Sequence, residues 1–519
     1  MSSSPNLIAE NERLSGLVAA QGDELRVVKN ELLRARLRIE KLELEKRRRL
    51  IERYGPQSER LSTLQLQLLE LEPGVQQAEV EREAGRPAPA AREGRAPAAH
   101  PGRRKLPAHL PREEKVIAAP AGQQTCNQCG RATKVIGYEE SEQLEVIPAR
   151  HFVLVVKREK RACPGCRQGV RTAPLPARII DKSLLGDSAI VEVLVRKYAD
   201  HCPLYRQSEM MSRDGGVEID TATLDGVVMR VGETLIPLAR AMRRSILAGG
   251  YVQADETPVP VQLGREAGRP RKGKHHQAYL WQYGAPGGEA VFDFRMGRGR
   301  DGPAAWLKDF EGILQTDGYA AYDRCGRGVL RAACWAHARR GFADALKLHP
   351  ADRDAEAVLA RIGALFAVEA EARDGGRTLA DRHALRQQRS RALVAGLREE
   401  LQKLARTLLP GSATGKAVAY ALNLWDRLTL FLDQPRLELS NNLAENSMRP
   451  IALGRKNWIH VGHPAAGPRV AAIISVVESC RRLQLPLRQY LERVLPGLAL
   501  RSHRQLAALT PAAWPASHA

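Results

Sequence analysis

The stretch Tyr251-Val-Gln-Ala-Asp-Glu-Thr-Pro-Val-Pro-Val261 decides the fold. Val252, Ala254, Thr257, Val259 and Val261 form a short apolar run, interrupted by Pro258 and Pro260, that follows the turn signal Gly249-Gly250. Such a run predicts a strand entering a buried sheet. Asp255 lies in its middle, where a carboxylate is costly unless something offsets its desolvation, and a metal ion commonly does so. Glu256 is expected to point to the opposite sheet face and is not counted as a ligand. Asp317 ends a second apolar run, GILQTDG, and Glu445 falls in SNNLAENSMRPIALGRKNW, on a short helix expected to close at Pro450. Two aspartates on strands and a glutamate on a helix suit a two-metal phosphoryl-transfer site. There, oxygen ligands hold two Mg²⁺ (or Mn²⁺) ions about 3.5–4 Å apart.

Working outward, QAYLWQYG and EAVFDFRMG predict two more strands, PAAWLKDF a helix, and VLRAACWAHARR a strand leading into a helix. Three antiparallel strands, a helix, a strand ending in an acid and another strand follow the order of a ribonuclease-H-like α/β domain. Residues 338–437 are almost entirely helical in pattern and read as an insertion between Asp317 and Glu445. The catalytic domain is therefore expected in two parts, 247–337 and 438–497, its sheet covered by the helices PRVAAIISVVESCRRL and LRQYLERVL, with 498–519 a tail. His337, in CWAHARR, is weighed as an extra acid/base group or a packing residue. Arg449, Arg455 and Lys456 follow Glu445 closely and are candidates for phosphate contacts, or else a solvated basic face.

Upstream, Cys126-Asn-Gln-Cys129 and Cys163-Pro-Gly-Cys166 are two thiolate knuckles that together complete a closed tetrahedral zinc site, with strand-like runs 143–147 and 151–157 between them. A redox role would account for one pair only. A closed four-thiolate site has no open position, so one structural zinc is expected in a ribbon over 112–178. Residues 179–246 predict a helix, the turn Asp214-Gly215-Gly216 and a second helix beginning near Asp220 or Thr221, either a DNA-reading helix-turn-helix or a plain helical hairpin.

At the start of the chain, Leu14, Val18, Gln21, Leu25, Val28, Leu32, Ala35, Ile39 and Leu42 alternate spacings of four and three. This predicts a coiled-coil seam of about four heptads within 1–54, and self-association, rather than one amphipathic helix packed on its own domain. Residues 55–111 read as a helix followed by a basic linker rich in Pro, Ala and Arg.

The 519 residues carry 80 Lys+Arg against 59 Asp+Glu, a formal net charge of +21, which favours a polyanion such as nucleic acid as partner. No run approaches the ~18 apolar residues of a membrane span, and the polar start is not that of a signal peptide. Eight cysteines, two close pairs and four singletons, suit metal binding in a reducing cytoplasm.

ADETPVPV, TDGYAAYD, CWAHARR and above all NNLAENSMRPIALGRKNW resemble the transposases of the IS66 family of bacterial insertion sequences. PAHLPREE, the cysteine pairs, SEQLEVIPAR and KYADHCPLYRQSEM extend the resemblance over roughly 104–497. It implies a DDE transposase, with Asp255, Asp317 and Glu445 as metal ligands. Such an enzyme binds the inverted repeats of its element, cleaves double-stranded DNA there and joins the freed 3′-hydroxyl to target DNA. It also implies a cytoplasmic, nucleoid-associated protein whose element often encodes two small accessory proteins. Family members often carry Arg after the glutamate, where this chain has Asn446; that departure leaves the triad intact and puts one phosphate contact implied by the resemblance in doubt. The alternative is a non-catalytic, zinc-containing DNA-binding or regulatory protein derived from a transposase.

The four-thiolate reading predicts one zinc per chain after chelator-free purification, measured by metal analysis. Replacing Cys163 and Cys166 by Ser should bring that ratio close to zero.

Overall fold

The computed structural model describes residues 170–263, 275–458 and 460–514, together with parts of 10–46 and 112–161. Cys126, Cys129, Cys163 and Cys166 lie outside the described residues, as does all of 55–111. Within 10–46 every described residue is helical, and Leu14, Val18, Leu25, Val28, Leu32, Ile39 and Leu42 are all exposed. The run expected as a strand over 151–157 is irregular, and Phe152 to Val156 are exposed. An apolar run alone does not hold a strand; a partner is needed for the backbone groups. Pairing appears just beyond, where β1 (Lys160–Arg161) and β2 (Arg171–Thr172), which flank the second cysteine pair in sequence, pair antiparallel.

Three helices follow: α1 (Asp187–Tyr198), α2 (Leu204–Gly215) and α3 (Thr221–Ala248). The first helix expected from sequence is thus two. Pro203 disfavours helical geometry at Cys202, and His201 takes a left-handed φ of 56° to turn the chain. Gly216, at φ 63°, ends α2 in the left-handed conformation that a glycine adopts without penalty. The 28-residue α3 buries Leu224, Val228, Val231, Leu235, Leu238 and Met242 along one face. It packs against α12 (Gly467–Arg482) so closely that a Cβ on Gly232 would stand 2.7 Å from that of Arg469. Most of α3 is therefore a core helix, and only its first turn, Thr221 to Thr223, is exposed throughout.

Five strands make one sheet, with the short helix α4 (Asp301–Trp306) between the third and fourth of them: β3 (Tyr251–Gln262), β4 (His275–Gly284), β5 (Ala290–Arg295), β6 (Ile313–Thr316) and β7 (Leu330–Ala333). Their order is β5-β4-β3-β6-β7; β3, β4 and β5 are antiparallel, and β6 and β7 run parallel to β3. Gly312 lets β6 begin tight against β3, because a Cβ there would overlap the Gly250 backbone. The outer edge of β5 is covered by α12, whose Ser475 and Ser479 hydroxyls accept from Phe292 N (2.8 Å) and Ala290 N (2.9 Å). Side-chain hydroxyls here occupy the donors that would otherwise leave an open sheet edge.

The opposite face carries α5 (Trp335–Leu348) and the helical block expected from the sequence: α6 (Arg353–Asp374), α7 (Leu379–Leu385), a π turn over Arg386–Ser390, α8 (Arg391–Thr407), α9 (Ala413–Asn423) and α10 (Trp425–Thr429). These share one apolar core with Tyr251 and Ile313 of the sheet. Then α11 (Asn442–Trp458) lies across β3 and β4. It does not close at Pro450 as expected but continues two turns beyond it; burial of Met448, Ile451 and Gly454 offsets the amide that proline cannot donate. Of the two final helices expected to cover the sheet, α13 (Leu487–Val494) packs mainly on α1 instead. The expected tail is packed as far as Trp514, and α14 (His503–Ala507) lies on α3.

The helical block is held to the chain entering α11 by buried charge. Arg386, fully buried, donates to both oxygens of Glu369 (2.6 and 2.8 Å) and to the carbonyls of Phe431 (2.8 Å) and Leu437 (2.8 Å). Arg382 bridges Glu369 (2.6 Å) and Glu438 (2.7 Å). Removing one partner of a buried pair leaves an uncompensated charge. Arg386→Met is therefore expected to cost about 3–5 kcal/mol, read as a lower urea midpoint.

Candidate active site

Parallel pairing of β3 and β6 sets the site. Gln253 and Gln315 are register partners. Asp255 and Asp317 each stand two residues further along, so both carboxylates emerge on the same face just past the parallel pairing, Asp255 within β3 and Asp317 directly after the end of β6. That end of an open sheet is where ligands bind. Beneath them lies a buried polar layer. Gln253 donates to Gln315 Oε1 (2.9 Å) and to the Ser440 carbonyl (2.8 Å), Tyr251 donates to Gln315 Oε1 (2.6 Å), and Gln315 donates to the Glu438 carbonyl (2.7 Å). The same network therefore fixes the spacing of the two strands and docks the segment that leads into α11.

Asp255 accepts from the Glu256 amide (2.8 Å). Burial, then the charges of Glu445, Glu256 and Asp317, raise its pKa well above the usual carboxylate range. Asp317 accepts from the Tyr319 amide (2.8 Å), which closes a turn on Gly318. At φ 98°, with Leu424 within 2.7 Å of a Cβ built there, that position accepts glycine alone without strain. Tyr420 of α9 donates its hydroxyl to the Asp317 carbonyl, so the helical block also reaches this turn.

Glu445, in the first turn of α11, meets α5: Oε2 accepts from Arg340 Nη2 at 2.8 Å, and Oε1 is 3.2 Å from His337 Nε2. Burial lowers the pKa of His337, opposed by the charge of Glu445. His337 and Arg340 are three residues apart on one helix face, a spacing legible in CWAHARR, although only the histidine stood out there. Glu256 turns away, as expected: its side chain, 2 % exposed, binds Arg298 (2.7 Å) and Tyr322 (2.8 Å) on the other face. Arg298 also stacks over Tyr319, 4.2 Å from its centroid. Arg449 and Lys456 are exposed on α11, whereas Arg455 donates to the Pro258 carbonyl of β3.

Among the described residues no three His, Cys, Asp or Glu side chains are gathered tightly enough to hold an ion. The donors nevertheless suit a hard divalent cation. Asp255 and Asp317 form no ion pair among the described residues, Glu445 Oε1 is buried without a hydrogen bond, and the buried amide of Gln282, opposite Asp255, is also without a partner there.

Three family models match. One described as the transposase IS66 family covers residues 182–469, and one described as the zinc-finger binding domain of that transposase covers 123–167, which contain all four paired cysteines. The chain belongs to the IS66 transposase family. A third model, described as transposase C of IS166 homeodomain, covers 41–114, including the whole stretch 55–111 expected as helix and linker. Among relatives of this family member, the uncharacterized Sinorhizobium fredii protein y4qI is 33% identical over 417 residues, covering 76% of this chain and 74% of that one. The uncharacterized proteins y4jD (32%, 79% and 82%) and y4hP (29%, 91% and 88%), from the same organism, are similar over comparable shares. No helix among the described residues is long and apolar enough to cross a membrane.

The raised pKa of Asp255 makes a prediction for this DDE-family domain. An unfolded aspartate titrates near ~3.9, so the folded protein holds a proton on Asp255 more readily than the unfolded chain does. The ionised group therefore destabilises the fold at neutral pH, and the penalty fades as pH falls through the folded pKa. Without added divalent metal, Asp255→Asn should raise the thermal midpoint at pH 7–8, with the gain vanishing below about pH 4.

Proposed function

We propose that the chain is an active DDE transposase: it binds the terminal inverted repeats of its insertion sequence, cleaves DNA strands there and transfers the freed 3′-hydroxyl to target DNA. The observation that carries this reading is the register that brings Asp255 and Asp317 side by side beneath the helix bearing Glu445. We read the five-stranded sheet, three antiparallel strands followed by two parallel ones, as a ribonuclease-H-like core interrupted by the helical block. Two Mg²⁺ or Mn²⁺ ions, when bound, would activate the attacking oxygen and neutralise the leaving one. Asp255 and Asp317 would hold them from rigid strands, and Glu445 from α11. Phosphodiester transfer of this kind requires no covalent enzyme intermediate, so no Ser or Tyr nucleophile enters the scheme.

Arg449 and Lys456 would hold phosphates beside this centre, and the exposed first turn of α3 would approach DNA after the α2 turn. Arg455 has the narrower task of tying α11 to β3 through Pro258. The four paired cysteines would hold one structural zinc. The exposed apolar seam from Leu14 to Leu42 would be covered by the same seam of a second chain, since a lone helix leaves it in water. A solely DNA-binding protein has no use for two adjacent carboxylates, one of them desolvated, which favours the catalytic reading.

Replacing Asp255, Asp317 or Glu445 by Ala, and Asp255 by Asn, should lower Mg²⁺-dependent cleavage and joining of end-containing DNA on the order of 10³-fold or more. End-binding in a gel-shift assay should persist, because it rests on Lys and Arg contacts to phosphates. Cleavage by the Asp255→Asn or Asp255→Ala variant at the native rate would sink the assignment.

A further inference from the structure

Of the three acids, Glu445 alone carries a cationic partner among the described residues. Arg340 binds its Oε2 at 2.8 Å and stands 3.5 Å from His337 through Nη1. The Arg340 side chain is 48% exposed, against 25% for Glu445, so the guanidinium that holds the carboxylate through Nη2 and faces His337 through Nη1 belongs to a half-exposed side chain. It comes from α5, the helix that follows the parallel strand beside Asp317, and not from the element that carries Glu445.

We propose that Arg340 is the resident counterion of Glu445, which gives up the carboxylate when a divalent ion binds and then holds a phosphate oxygen of the DNA. This rests on the reading of Glu445 as a metal ligand. One carboxylate oxygen cannot be fully shared between a guanidinium and a divalent cation, and two cations drawn to one site repel. A half-exposed ion pair is weak, so it delays the metal without barring it. Once released, the guanidinium keeps its charge under all conditions and has the planar fork that suits a phosphate. Exchange of this kind would make metal loading and DNA binding support each other: metal frees the arginine for DNA, and a phosphate that engages the arginine clears Glu445 for metal.

The test is Mn²⁺ binding to the full-length chain without DNA, followed by calorimetry, for the native protein, R340Q and E445Q. R340Q should bind Mn²⁺ roughly two- to fivefold more tightly, since the competitor is gone. A merely structural arginine would give the opposite result, because losing it would loosen the site. Weaker or unchanged binding by R340Q overturns the proposal. If E445Q binds Mn²⁺ as well as the native chain does, the ligand reading of Glu445 fails separately. With Ca²⁺ present, the dependence of DNA affinity on salt should fall by about one phosphate contact in R340Q; in metal-free buffer it should match the native protein. An equal slope with Ca²⁺ also overturns the proposal. Should R340Q fail to fold, R340K keeps the stem and the charge but loses the fork, and should show the same tightening in smaller measure; none in R340K overturns the proposal.

Discussion

The parallel pairing of β3 with β6 is the constraint on which the rest of the molecule depends. Side-chain direction alternates along a strand, so one register shift would send one of the two aspartates to the other face of the sheet. The pairing is short, three residue pairs from Tyr251↔Ile313 to Gln253↔Gln315, and it is reinforced where most at risk. Gly312 allows close approach at its start, Gly250 turns the chain into β3 at φ 69°, and the buried Gln253–Gln315–Tyr251 network ties its end. A polar layer inside a sheet is expensive unless satisfied, and it specifies one arrangement because a slipped register leaves its amides unbonded.

The helical block, placed between the second and third acids in sequence, is joined to both in space. Tyr420 holds the carbonyl of Asp317, and Leu424 packs on Gly318. At the other end, Arg386 gathers the carbonyls of Phe431 and Leu437, and Arg382 anchors Glu438, two residues before Ser440 accepts from Gln253. The block is therefore a buttress that fixes the approach of α11, and with it Glu445, to the strand ends. A site on strands and a helix, braced from behind, can keep its ligands within a fraction of an ångström, which a site on loops cannot.

Much of this was legible in the chain because the signals are local. A desolvated aspartate in an apolar run, a second at the end of another, and turn glycines on either side predict strands and their acids without any contact map. What escaped is what depends on partners far away in sequence. Arg340 reads as one more basic residue until α5 is laid against α11, and Tyr420 as a helix residue until α9 meets the Asp317 turn. The expected stop at Pro450 failed for a related reason: local chemistry disfavours proline inside a helix, but burial of Met448 and Ile451 outweighs it. The run 151–157 failed in the other direction: five consecutive apolar residues, Phe152 to Val156, are exposed and pair with no strand among the described residues.

The same physics separates what makes this domain stable from what would make it act. A fold optimised for stability would not bury Asp255 beside Asp317 and near Glu445, because each raises the cost of ionising Asp255. The surrounding core absorbs that cost: Val252, Ala254, Leu280, Trp281 and Tyr283 are all buried around the strand that carries it. Glu256 shows the alternative. One residue further on, with its own cation Arg298 and the Tyr322 hydroxyl, a buried carboxylate is fully engaged within the protein. The two neighbours differ in face, and therefore in partners. The acid given an internal cation is structural, while the acid left without one would, in the proposed reading, take its cation from outside. By this criterion Glu445 stands between them, bound to a cation that is half in solvent and so can be exchanged.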